Sequence, residues 1–156
     1  MNLLDAAAAL FKELGWDATR LPQAPVITCA LRVPNGTLDI YCHYHADPNR
    51  LLIYVRPQDV PVPEEQYRPV AEYLTRTNYG LPLGNFEIDL NDGEFNFKNS
   101  VDVNQGALTA GMVQTLIVFS LECYARYLPG IQAVIDGQDA KSAIETIDGP
   151  TRIQIR

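Results

Sequence analysis

The sequence predicts an α+β fold in which an antiparallel sheet carries helices packed on one side. In some segments apolar residues recur at helical spacing, and in others they alternate with polar residues, as in strands that bury one face. Short turns rich in Asn, Gly and Pro join most of the strands, and such connections place neighbouring strands antiparallel. The predicted order of elements is α-β-β-β-α-β-β-α.

The first helix is predicted near the start of the chain. Its apolar residues at helical spacing are Leu3, Leu4, Ala7, Leu10, Phe11 and Leu14. Asn2 is placed to cap the first turn, and Gly15 is placed to end the helix because glycine adopts positive φ readily.

Strands follow this helix, and tight turns connect them. Val26–Val33 alternates apolar and polar residues, and Pro34-Asn35-Gly36 supplies a turn into Thr37–Ala46. Asp47-Pro48-Asn49 then turns the chain into Arg50–Arg56. These segments predict antiparallel strands joined by hairpins.

A second helix and a second hairpin are predicted next. Helical spacing covers Glu64–Asn78, but Pro69 lacks a backbone donor, so the helix either kinks there or begins near Arg68. The apolar residues that alternate in the following strand are Phe86, Ile88 and Leu90. Asn91-Asp92-Gly93 then turns the chain into a strand over Glu94–Val101.

The last long helix is predicted over Thr109–Leu128, with Thr109 as its cap. Pro129-Gly130 is expected to interrupt it before Ile131–Ile135 resumes. A short final helix is predicted over Asp139–Ile147, capped by Asp139.

The apolar surface of the long helix is unusually wide. Its polar residues Thr115, Glu122 and Arg126 fall in one narrow stripe, whereas a surface helix normally has an apolar stripe little more than about 100° wide. Two packing partners are therefore expected, namely the protein's own sheet and a second subunit. The residues predicted to be buried or to form the dimer or partner interface are Val113, Leu116, Ile117, Val118, Phe119 and Tyr124.

Length and composition indicate one globular domain. The chain has 156 residues, of which 47% are hydrophobic, and we predict a single domain over residues 1–148 with a tail over 149–156 that is a loose strand or mobile. A net charge of -7 is the wrong sign for binding phosphate backbones, so nucleic acid is not an expected partner. The polar residues of the long helix also argue against a membrane span.

The cysteines and the N-terminal sequence favour a cytoplasmic protein. Cys29, Cys42 and Cys123 are odd in number, widely spaced and on predicted core faces, which favours free buried thiols over disulfides or a nucleophile. The opening residues carry Asp5 and lack the basic segment of a signal peptide.

The residues indicate no catalytic or cofactor site. His43 and His45 share a polar strand face with Asp39, and Asp47 follows in the turn, but a stable metal site needs three or four converging ligands, so we predict no metal. The acids of the second hairpin fall on outward faces or in turns, and the glycines form no nucleotide-binding motif, so we predict no cofactor.

Parts of the chain resemble the YbjN family of small bacterial proteins. The resemblance is carried by Leu74–Asp89, by Asp92-Gly93-Glu94 and by Arg126–Gly130, and it covers most of the chain. It implies a fold similar to type III secretion chaperones, which are small acidic proteins that dimerise and hold partner polypeptides. It also implies a role in regulating sensory transduction, and it contributes no catalytic residues.

From the residues and this resemblance we predict a non-enzymatic, cytoplasmic homodimer. It would act as a chaperone-like or regulatory adaptor that binds another, unknown polypeptide through exposed sheet or helix surface. Two alternatives stay open: a metal-dependent or small-molecule enzyme that uses His43, His45 and Asp39, and a structural subunit of a larger complex.

Overall fold

The computed structural model describes residues 3–34, 36–47, 49–104, 106 and 108–149. Within these ranges the elements are α1 (Leu3–Glu13), β1 (Ala18–Arg20), β2 (Val26–Val33), β3 (Gly36–Ala46), β4 (Asn49–Pro57), a 3-10 turn (Glu64–Gln66), α2 (Tyr67–Asn78), β5 (Asn85–Ile88), β6 (Phe95–Asp102), α3 (Ala110–Ile135) and α4 (Ala140–Asp148). The predicted α+β class, with its antiparallel sheet and helices on one side, is confirmed.

Within the described ranges, the strands form one six-stranded sheet in the order β1-β2-β3-β4-β6-β5, and every neighbouring pair is antiparallel. The predicted hairpins are present: the β2–β3 pairing closes at Val33 and Gly36, and the β3–β4 pairing closes at Ala46 and Asn49. Asn35 and Pro48 of these turns lie outside the described residues. The alternation in the sequence therefore set the registers that place apolar residues on one face.

One face of the sheet forms the core with the helices. Its buried residues include Ile27 and Cys29 of β2, Ile40 and Cys42 of β3, Leu51, Ile53 and Val55 of β4, and Phe95 and Phe97 of β6. Helix α1 and the first half of α3 pack over one end of this face, while α2, α4 and the second half of α3 pack over the other. Each large apolar side chain buried here contributes roughly 1.5–3 kcal/mol of transfer free energy.

Helix α1 ends as predicted. Gly15 adopts a φ of 70°, the Gly15 amide donates to the Lys12 carbonyl at 3.1 Å, and the Trp16 amide donates to the Phe11 carbonyl at 2.8 Å. These two bonds form a Schellman motif, which satisfies carbonyls that the end of a helix leaves unpaired. Asn2, the predicted cap at the other end, lies outside the described residues.

Helix α2 begins at Tyr67, one residue before the predicted start near Arg68. Pro69 therefore lies in the first turn, where a backbone N–H has no acceptor within the helix. Proline at this position therefore removes no helical hydrogen bond. Glu64–Gln66, the beginning of the predicted helix, forms a 3-10 turn.

The predicted interruption of the long helix at Pro129-Gly130 is wrong, because α3 runs without a break over Ala110–Ile135. Proline removes only one bond of the helical ladder, and burial of Gly130 and Ile131 compensates for this loss. Gly130 is needed at this position since a Cβ there would lie 2.0 Å from the Tyr73 hydroxyl, which donates to the Tyr127 carbonyl at 3.0 Å.

Both predicted helix caps in this part of the chain are confirmed. The Thr109 Oγ1 accepts from the Met112 amide at 3.2 Å, and the Asp139 carboxylate accepts from the Ser142 amide at 2.9 Å.

Strand β1 was not predicted, because its short sequence of Ala, Thr and Arg has no alternating pattern to detect. Residues 150–156, which include most of the predicted tail, lie outside the described residues.

Candidate partner-binding surfaces

The sheet has a second face against which none of the described helices packs, and we call it the open face. Its residues include Thr28 of β2, Asp39, Tyr41 and His43 of β3, Leu52, Tyr54 and Arg56 of β4, and Lys98 of β6. None of these belongs to the two cores that the helices share with the sheet. They are half-buried, because neighbouring side chains on the same face shield one another.

Aromatic and apolar side chains meet across the centre of the open face. Tyr41 is directly opposite Tyr54, and His43 is directly opposite Leu52. Directly opposed residues have Cβ atoms about 4.5–5.5 Å apart, so these side chains form adjoining patches. Tyrosine suits such a surface because its ring is apolar and its hydroxyl bonds to water or to a partner.

Arg56 is the charged centre of the open face. Its guanidinium donates to Glu94 Oε2 at 2.8 Å and to the Tyr41 hydroxyl at 2.9 Å, and it lies 5.3 Å from the Tyr41 ring centroid. Partial burial acts to lower the pKa of Arg56. The hydrogen bond to Glu94 and the charges of Tyr41, Glu94 and Asp39 act in the opposite direction and are stronger, so the pKa of Arg56 is raised. Arg56 therefore remains charged and holds the Tyr41 ring in place.

Asp39, predicted as a possible metal ligand, belongs to this charged group instead. Its carboxylate accepts from Gln58 Nε2 at 2.7 Å and lies 3.7 Å from the Arg56 guanidinium. Asp39 is also four residues from His43 on one strand, which at about 3.3 Å per residue separates their backbones by roughly 13 Å. The carboxylate is therefore too far along the strand to share an ion with the imidazoles.

The two histidines are adjacent, as predicted, with ring centroids 4.2 Å apart. Partial burial, followed by the charge of His45, lowers the pKa of His43, so the neutral imidazole is favoured at neutral pH. In the described part of the chain, no group of three or more His, Cys, Asp or Glu side chains is arranged to hold a metal ion.

The acids of the second hairpin serve structural roles. Glu87 pairs with Lys98 at 2.5 Å, Glu94 with Arg56, and the Asp89 carboxylate accepts from the Asn91 amide at 2.8 Å. These contacts hold the hairpin and its turn. The expected outward position of these acids agrees with this arrangement.

The cysteines are buried and free, as predicted. Burial, together with the charge of Cys29, raises the pKa of Cys42 to about 12. Burial also raises the pKa of Cys123 to about 11. Thiols with raised pKa values are poor nucleophiles, so these residues act as small core side chains.

The predicted interface residues of α3 divide into two groups. Val113, Ile117 and Tyr124 are at most 1% exposed and lie in the core of the single chain. Val118 is 36% exposed, while Leu116 and Phe119 are half-buried, with the Phe119 ring 6.4 Å from the ring of Phe97.

Elements of the same chain cover most of the wide apolar surface of α3. The sheet lies on one side of this helix, and α1, α2 and α4 pack against its flanks. Among the described residues of α3, two large apolar side chains remain exposed, Met112 at 46% and Val118 at 36%. Helical periodicity shows how wide an apolar surface is but not how many elements of the same chain cover it, so a second subunit on the exposed residues stays a prediction.

The β5 edge of the sheet is protected by a side chain whose role no sequence pattern indicates. Asn78, at the end of α2, accepts from the Phe86 amide at 2.7 Å and donates to the Phe86 carbonyl at 2.9 Å. The Asn78 side-chain amide thus replaces the neighbouring strand that this edge lacks.

The roles of Arg56 and Gln58 were also not predicted, because only strand pairing brings these residues to Asp39.

The fold and its open face define the class of protein. It is an α+β domain with a type III secretion chaperone-like fold. The chain belongs to the YbjN family, whose model, described as "Putative bacterial sensory transduction regulator", matches residues 4–133. A comparison with curated protein sequences finds no significant match.

The solved structures similar to the chain include the following two. The first is YbjN from E. coli, described as "a putative transcription regulator", with 18% identity, a TM-score of 0.58, and coverage of 85% of this chain and 89% of the other. The second is the ExsC–ExsE complex, with 17% identity, a TM-score of 0.51, and coverage of 78% of this chain and 90% of the other. At these identities, the likeness establishes the fold. Over the described ranges, no helix combines the length and apolar character needed to cross a bilayer.

Proposed function

We propose that this protein is a non-enzymatic, chaperone-like or regulatory adaptor that binds another polypeptide, and that it acts in the cytoplasm. The observation that carries the proposal is the open face, where Tyr41, Tyr54 and Leu52 lie on the side of the sheet opposite the helices. Aromatic residues are enriched in protein interfaces, and a charged rim such as the Arg56 cluster adds specificity.

Two further findings support a polypeptide as the ligand. The family is described as a regulator of sensory transduction, and a protein with a similar fold, ExsC, was solved in complex with ExsE. A flat sheet surface with tyrosines suits a polypeptide better than a small molecule, which normally binds in a concave pocket. The free buried cysteines are consistent with a reducing compartment such as the cytoplasm.

Photo-crosslinking at Tyr54 tests the open face. A benzoylphenylalanine placed at Tyr54 in the native cell is expected to crosslink a partner protein, which mass spectrometry then identifies. The matched control is the same replacement at Tyr79, a tyrosine that is 69% exposed and lies outside the open face. Equal crosslinking at both positions would contradict a role for the open face.

The purified partner then permits a quantitative test. Tyr54→Ala is expected to weaken binding by about tenfold or more, as for an aromatic residue at the centre of an interface, whereas Tyr79→Ala has little effect. Circular dichroism checks that both variants are folded. An unchanged dissociation constant for Tyr54→Ala would exclude Tyr54 from the binding site.

We further propose that the protein is a homodimer in which the accessible residues of α3 take part. Val118→Glu is expected to dissociate it, because a charge would be placed without a partner in an apolar contact. Light scattering should give twice the 17.4 kDa chain mass for the native protein and the mass of one chain for the variant. Gln132→Glu, an exposed change at the far end of α3, is the control. A native mass of one chain, or a folded Val118→Glu variant of unchanged mass, would refute this assignment.

A further inference from the structure

Strand β2 extends past its neighbour β1 and leaves a free edge. β1 pairs with residues 27–29 of β2, starting at Ala18 opposite Cys29, whereas β3 pairs with β2 as far as Val33. Among the described residues, the segment Ala30–Val33 therefore has a neighbouring strand on one side only. We call this segment the β2 overhang.

The direction of the backbone groups in the β2 overhang follows from the pairing. The Leu21 amide donates to the Val26 carbonyl, so the Val26 backbone faces the β1 side. Because backbone groups alternate along a strand, residues two, four or six positions after Val26 also direct their amide and carbonyl groups towards the β1 side. The backbone amides and carbonyls of Ala30 and Arg32 therefore face the β1 side, while those of Leu31 face β3. Among the described residues, the Arg32 backbone has no hydrogen-bond partner on this side, and the Ala30 carbonyl has only the Cys29 thiol at 3.8 Å.

The opposite edge of the sheet is different. There, the Asn78 side chain occupies the amide and carbonyl of Phe86. Proteins commonly block exposed strand edges because unpaired backbone groups recruit other strands. Within the part of the chain that the structure describes, the β5 edge is blocked in this way at Phe86, and the β2 overhang is not.

The side chains of the β2 overhang indicate what would pair with it. Leu31 and Val33 are half-buried and face the helix side of the sheet, where Leu31 packs against the core. Arg32 is exposed on the open face, and within the described residues it forms no ion pair. Asp17 lies near Cys29, the residue just before the β2 overhang, so a second acidic residue is disfavoured there but favoured beside Arg32.

We propose that an extended segment of a partner polypeptide, with apolar residues alternating with an acidic residue beside Arg32, adds to the sheet as a strand along the β2 overhang. The main-chain hydrogen bonds would provide affinity, and the two faces of the added strand would provide specificity. This proposal rests on the proposed function, because it supplies the mode of contact for the same partner. The added strand would extend the open face beyond Thr28.

Hydrogen exchange measured by NMR tests the free edge and its occupant. In the free protein, the amides of Ala30 and Arg32 should exchange quickly, while those of Cys29 and Leu31, which pair with β3, should exchange slowly. The probe is a soluble eight-residue peptide in which valine alternates with glutamate and threonine. Its binding should protect Ala30 and Arg32, and a peptide with lysine in place of glutamate should bind about tenfold more weakly. Slow exchange in the free protein, or equal binding of both peptides, would overturn the proposal.

Proline variants separate the β2 overhang from the rest of the edge. Ala30→Pro removes an outward-facing amide, which an edge strand tolerates, and should abolish peptide binding. Ala18→Pro removes an outward-facing amide from β1 and should leave peptide binding unchanged. Arg32→Glu keeps the backbone and should reverse the preference between the two peptides. A folded Ala30→Pro variant that still binds the peptide would refute strand addition.

The same variants distinguish this inference from the proposed function. If Ala30→Pro leaves crosslinking at Tyr54 intact and the glutamate peptide does not bind, strand addition fails while the adaptor role stands. If the peptide protects Ala30 and Arg32 but no protein crosslinks at Tyr54, the β2 overhang is a strand-binding edge and the open face is not the partner site.

Discussion

Replacing Gly130 by alanine is expected to destabilise the protein by about 2–4 kcal/mol, although alanine is normally the better helix former by about 1 kcal/mol. The added Cβ would lie 2.0 Å from the hydroxyl and 2.4 Å from Cζ of Tyr73, which is fully buried. Tyr73 would have to move and give up its bond to the Tyr127 carbonyl. Urea unfolding followed by circular dichroism measures the loss.

Gly111→Ala is the matched control in the same helix. A Cβ at Gly111 meets nothing closer than the Thr109 Oγ1 at 3.9 Å, so this change should leave stability the same or raise it slightly. Should Gly130→Ala prove as harmless as Gly111→Ala, the close crossing of α2 and α3 at Tyr73 would be incorrect.

Replacing Gly93 by alanine is expected to cost about 3 kcal/mol. Gly93 has a φ of 77°, which costs an L-residue about 1–2 kcal/mol, and its Cβ would lie 2.2 Å from Cε1 of Tyr67, which adds an overpacking cost of about 1–3 kcal/mol. The turn between β5 and β6 would have to open to accommodate the methyl group. The unfolding midpoint in urea should fall accordingly.

Gly15→Ala separates the cost of the positive φ from the cost of the steric contact with Tyr67. Gly15 has a similar φ of 70°, but a Cβ there meets nothing within 4 Å, so only the backbone cost of about 1–2 kcal/mol applies. In a Tyr67→Ala background, Gly93→Ala should cost no more than Gly15→Ala, because the steric contact is gone. If Gly93→Ala costs the same with and without Tyr67, the two residues are not in contact.

The elements predicted most accurately are those determined by local chemistry. The Thr109 and Asp139 caps, the Gly15 terminus and the Asn91-Asp92-Gly93 turn each depend on the conformation of a few consecutive residues. The core face of the sheet was also predictable, because residues that alternate along a strand point to the same side.

The errors lie where distant segments meet. Pro129-Gly130 predicted a break in the long helix, but contact with Tyr73 of α2 makes glycine the residue that fits there. Strand β1 has no pattern of its own and exists through its pairing with β2. The Arg56 cluster and the Asn78 edge block likewise depend on pairings between residues far apart in sequence.

The sequence alone therefore determined the fold class, most element boundaries and the buried state of the three cysteines, since these depend on periodicity and local conformation. Only the tertiary structure decided which apolar residues of α3 remain accessible, because burial depends on the number of elements that pack around a helix. It also revealed the open face and the β2 overhang, since strand order and length decide which surfaces and backbone groups have no neighbour.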